Sequence, residues 1–80
     1  MATNEFKIAL FGLLAEEAGT NTLLCSSLPN TEALLAAVFL RYPSWSSMRL
    51  LLAVNHRIVL SSQLIDTTDE IALMPPFSGG

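Results

Sequence analysis

Residues 28–43, LPNTEALLAAVFLRYP, read as one helix with both ends marked. Asn30 or Thr31 can cap the free amides of the first turn, and Glu32 sits where the positive end of the helix dipole favours an acid. Leu35, Val38, Phe39 and Tyr42 recur at helical spacing, and Pro43, which cannot extend a helix, stops the run.

The flanking segments read as strands. Upstream, Phe6, Ile8 and Leu10 alternate with Lys7, Ala9 and Phe11, which predicts a strand over 6–11 with one face in the core. Leu13 to Ala18 favours a short helix closed by Gly19, and Thr22 to Leu28, without acid or base, reads as a second strand. Downstream of the helix, Ser44 to Met48 is a Ser-rich connection in which Trp45 is expected to tuck against the domain. Leu50–Val54 and Ile58–Leu60 then form a hairpin about Asn55-His56-Arg57. Asp66 to Asp69 makes a further turn before a fifth strand, Ile71 to Met74, ended by Pro75-Pro76.

The order strand, strand, helix, three short strands contains no repeat and is met economically by one mixed sheet with the helix on one face. This is an α+β, ubiquitin-like β-grasp arrangement: five strands, one main helix, a short first helix, and the first and last strands parallel at the centre. The domain is expected to span 1–76, leaving 77–80 as a flexible tail ending in Gly-Gly.

Eighty residues suit one domain. Hydrophobic residues make up 51% and charged ones 14%, against about 25% charged in an ordinary soluble domain, which excludes intrinsic disorder. A domain this small buries only about 60% of the surface its unfolded chain exposes, so some apolar surface must remain outside, where it marks a protein partner. The net charge of −3, without a basic cluster, argues against nucleic acid and anionic membranes as partners. The longest apolar runs, Ala33 to Leu40 and Leu50 to Val54, are far short of the ~20 residues of a membrane span. Glu5 and Gly12 spoil the faint likeness of the first residues to a signal peptide, and one cysteine excludes an internal disulfide framework, so a cytoplasmic location is expected.

Enzyme constellations are nearly absent. His56 reads as a solvated turn histidine and Cys25 as a small packed residue, with nothing beside it to lower its pKa. Glu16-Glu17 and Asp69-Glu70 read as solvated acids, and no metal site is expected. The distinctive feature is the end of the sequence. Pro75 and Pro76 fix their own φ and extend the residues before them, Phe77 offers an apolar anchor, and Ser78-Gly79-Gly80 is slim and uncharged. A stiff, then greasy, then thin arm suits insertion into a narrow channel.

The tail MPPFSGG, preceded by LLAVN and DEIAL, with FKIALFG and EEAG at the start and LPNTEALLAAV for the helix, resembles the small subunits of molybdopterin synthase over essentially the whole chain. Two departures stand out: Thr67-Thr68-Asp69 where that family commonly has Asp-Gly-Asp, and apolar Leu13, Leu14 and Ala15 where it often carries an arginine. The resemblance implies a sulfur carrier with no activity of its own and no bound cofactor. A ubiquitin-activating-type adenylyltransferase would use ATP to form a glycyl-adenylate at Gly80, and a sulfurtransfer step would convert it to a thiocarboxylate. The tail would then enter the large catalytic subunit, in a heterotetramer of two small and two large chains, and give sulfur to cyclic pyranopterin monophosphate. A sulfur carrier of thiamine thiazole synthesis, a ubiquitin-like modifier of proteins and a plain interaction module are the competing readings.

Alternation adds a partner surface. If Phe6, Ile8, Leu10, Ile71 and Leu73 face the helix, Phe11 and Met74 fall on the opposite sheet face, with Ile58 extending the patch.

Overall fold

The structure, a computed structural model, describes residues 5–76. Its elements are β1 (Glu5–Leu10), α1 (Leu13–Ala18), β2 (Thr22–Ser26), α2 (Thr31–Arg41), a 3₁₀ turn (Pro43–Ser47), β3 (Leu51–Val54), β4 (Arg57–Ile58) and β5 (Ile71–Met74). They form a five-stranded sheet in the order β2, β1, β5, β3, β4, with β1 and β5 parallel at the centre and every other pair antiparallel. This is the β-grasp fold expected from the element order.

The core lies between the sheet and α2. Phe6, Ile8 and Leu10 from β1, Leu52 and Val54 from β3, and Ile71 and Leu73 from β5 are buried, as strand alternation requires. From α2 the deepest side chains are Leu34 and Val38, while Leu35, Phe39 and Tyr42 pack partly buried around them. The expected helical stripe is therefore rotated slightly toward Leu34. Asn30 is the N-cap, its side chain accepting from the Ala33 amide at 2.8 Å. Thr31 does other work: its amide donates to the Gln63 carbonyl and its hydroxyl accepts from the Gln63 amide at 3.1 Å, clipping the loop before β5 onto the helix.

Trp45 is fully buried, with its ring stacked on Tyr42 at 4.2 Å between centroids. Its Nε1–H donates to Glu17 Oε1 at 2.8 Å, so Glu17 is a structural acceptor tying α1 to the 3₁₀ turn and not simply a solvated acid. Gly19 closes α1 at φ 73°, as its position predicts.

Four strands differ in their bounds from expectation, β3 beginning at Leu51 and not at Leu50. β1 begins at Glu5 and ends at Leu10, leaving Phe11 just beyond it, and β2 ends at Ser26. In the β3–β4 hairpin, Asn55 and His56 both adopt positive φ (53° and 70°), a two-residue turn that brings Arg57 opposite Val54. β4 is therefore Arg57–Ile58 in place of Ile58–Leu60, and Leu60 is 93% exposed.

At the Asp66–Asp69 turn, the Asp66 carboxylate accepts from the amide and hydroxyl of Thr68, hydrogen bonds that lower its pKa from the usual aspartate value. The Asp69 carboxylate accepts from the Asp66 amide and from Asn55 Nδ2. The turn is thus closed by Asp66 and Asp69 without a glycine.

Candidate functional site

Among the described residues, no helix covers the sheet face away from α2. Its middle row is set by register: Thr22, Ala9, Ala72, Ala53 and Ile58 are neighbours across β2, β1, β5, β3 and β4. Three alanines on the central strands make a low floor. Along the edge where β5 ends stand Phe11, Met74 and Leu51, the last two being direct cross-strand partners. Phe11 is 52% exposed, Ile58 47% and Leu51 38%, with Met74 half-buried between them. The result is an open apolar trough that takes in Phe11, Ile58 and Met74, with Lys7, Glu5, His56 and Glu70 among the polar groups at its margin. Leu51 and the alanine floor were not singled out from the sequence, although period-two alternation in LLAV and IALM was the signal that places them.

The exit of the chain from β5 adjoins this trough. The Phe11 amide donates to the Leu73 carbonyl at 3.2 Å, continuing the β1–β5 ladder one residue past β1. Phe11, Gly12, Leu13, Met74 and Pro75 then line a small apolar hollow at the point where the arm departs. Gly12 has φ 58° and ψ −132°, a backbone closed to most L-residues, and a Cβ there would stand 3.3 Å from Pro75 Cγ. Pro75 is half-buried and Pro76 exposed. Phe77, Ser78, Gly79 and Gly80 lie outside the described residues.

The remaining titratable groups form no reactive centre with this face. Cys25 is buried, and burial pushes its thiol pKa up, with Glu5 adding to the rise and Arg41 opposing it. His56 is exposed at the hairpin tip, its Nε2 2.7 Å from Glu70 Oε1, so Glu70 is paired across the turn. Among the described residues no group of three or more His, Cys, Asp or Glu could hold a metal ion.

The ThiS family model matches residues 8–80, from inside β1 through the Gly-Gly pair. The chain belongs to the ThiS family. It is 34% identical to the molybdopterin synthase sulfur carrier subunit of Arabidopsis thaliana, over 95% of this chain and 83% of that protein. It is 37% identical to the molybdopterin synthase sulfur carrier subunit of Dictyostelium discoideum, over 98% of this chain and 99% of that one. Among solved structures it is similar to the crystal structure of SAMP1 from Haloferax volcanii, with a TM-score of 0.77 and 25% identity, covering 95% of this chain and 99% of that chain. The family membership agrees with the resemblance carried by the tail, the helix and the strand motifs.

Proposed function

We propose that this chain is the sulfur carrier and small subunit of a molybdopterin synthase, and that the carboxylate of Gly80 is the atom group that carries sulfur. The observation that carries the reading is the placement of the arm: Pro75-Pro76 leaves the central strand β5 beside an uncovered apolar trough, in a chain whose family match runs to Gly80. The names of the two relatives, matched over nearly the full length of this chain, supply the pathway.

A carboxylate is an unreactive acyl group until a good leaving group replaces its oxygen. A ubiquitin-activating-type adenylyltransferase joins Gly80 to AMP at the expense of ATP. The outer sulfur of a persulfide donor then displaces AMP to give an acyl disulfide, and a second thiol of the donor cleaves its S–S bond, forming a disulfide and releasing the thiocarboxylate. That group is nucleophilic enough to attack an activated carbon. The trough holding Phe11, Ile58 and Met74 docks on the large subunit, and Pro75 to Gly79 thread the thiocarboxylate into the large subunit's active site. There it gives sulfur to cyclic pyranopterin monophosphate, which needs two sulfurs for the dithiolene. Substrate-binding and acid/base groups belong to the large subunit, and this chain alone has no activity. The assembly is a cytoplasmic heterotetramer, two large subunits at its centre and one copy of this chain on each.

The test is reconstitution with the activating enzyme, ATP and sulfide, followed by mass measurement of the C-terminal peptide. Replacement of one oxygen by sulfur at Gly80 is expected, and an unchanged mass contradicts the reading.

A further inference from the structure

The free edge of β2 shows a pattern unrelated to the tail. Leu10 donates to the Asn21 carbonyl, which fixes the parity of the β1–β2 ladder: Leu23 and Cys25 direct their amides and carbonyls at β1, while Thr22, Leu24 and Ser26 direct theirs outward. An outward row of this kind is a template for another strand. Here it is partly occupied from within. The Thr20 hydroxyl accepts from the Thr22 amide at 3.3 Å and donates to the Thr22 carbonyl at 3.2 Å. The guanidinium of Arg41, at the end of α2, reaches over to donate to the Leu24 carbonyl at 2.6 Å. The Leu24 amide and both backbone groups of Ser26 have no partner among the described residues.

The row is self-complementary. In an antiparallel pairing of β2 with β2 of a second copy, centred on Leu24, each Leu24 would exchange two hydrogen bonds with its counterpart and each Thr22 two with Ser26 of the other copy. Every one of those bonds requires a group that Arg41 or Thr20 already holds. Leu24 itself is 50% exposed and would meet its own copy at the centre, so the side chains favour the pairing that the backbone contacts block. We propose that the β2 edge is a latent pairing site for a second copy of this chain, kept closed by Arg41 and Thr20. The two side chains hold the domain to one copy per sheet.

The test is sedimentation of the full chain carrying Arg41→Met and Thr20→Ala, both at exposed positions. The wild type should run as the 8.7 kDa monomer and the double variant at twice that mass, with the Leu24 amide newly protected from hydrogen exchange. Adding Leu24→Lys, which sets like charges directly opposite one another, should return the monomer at low salt. A double variant that stays monomeric at its highest soluble concentration overturns the proposal. So does a dimer that survives Leu24→Lys, or one that only Phe11→Asp dissolves.

Discussion

Pro75 Cγ stands 3.3 Å from the point that a Cβ on Gly12 would occupy, so the first residue of the exit arm rests on bare backbone. Gly12 follows β1 and Pro75 follows β5, the two parallel central strands, and their approach fixes the direction in which the chain leaves the sheet. Gly12→Ala should therefore act twice, through its positive φ and through contact with a proline ring that has little freedom to yield. A loss of about 1–3 kcal/mol is expected in urea unfolding, with an unchanged denaturant slope. A loss confined to a few tenths of a kcal/mol would show that the arm moves aside freely.

The hydrogen bond from Trp45 Nε1 to Glu17 gives a second expectation. Trp45→Ala should cost about 3–5 kcal/mol, comparable to the whole stability of a domain of this size, and leave the chain largely unfolded at room temperature. Glu17→Ala, which removes only the acceptor from a buried indole, should cost about 1–3 kcal/mol by the same measurement. If Glu17→Ala is neutral, water replaces the carboxylate and α1 is not anchored through it.

The apolar trough predicts separable effects on folding and assembly. Phe11→Asp with Met74→Asp should abolish association with the large subunit in sedimentation while leaving the circular dichroism and unfolding midpoint of the isolated chain nearly unchanged, because neither side chain belongs to the buried core. Unchanged association would remove this face from the interface. Loss of folding would mean that the two residues close a second small core.

The fold was legible because its periodicities are clean. Phe6-Ile8-Leu10 and Ile71-Leu73 alternate without a break, and the helix from Asn30 to Pro43 carries a cap, an acid in its first turn and a stop. What was not legible depends on contacts distant in sequence. Leu34 is fully buried and Leu35 only partly so, because tertiary packing and not local spacing decides which flank of the helical stripe meets the sheet, and Glu17 finds Trp45, 28 positions further along, only once the chain has folded. Arg57 joins β4 because His56 accepts a positive φ, which histidine does more readily than most residues but which a reading of turn composition does not specify. Phe11 and Met74 followed from alternation and Ile58 from its place on the hairpin, whereas the trough's floor of Ala9, Ala53 and Ala72 has no signal of its own because alanine is ordinary on either face.

The central claim is that this chain acts through Gly80 alone. An extended chain advances about 3.3 Å per residue, so removing one residue draws the reacting atom out of contact, where positioning losses are severe. The most direct measurement is conversion of cyclic pyranopterin monophosphate in a mixture of large subunit, activating enzyme, ATP, sulfide and either the full chain, the chain lacking Gly80, or Cys25→Ser. Molybdopterin should form with the full chain and with Cys25→Ser, whose thiol is buried, and should be absent with the chain lacking Gly80 although that chain still folds and binds the large subunit. Molybdopterin formed without Gly80, or lost on Cys25→Ser with folding intact, would contradict the account.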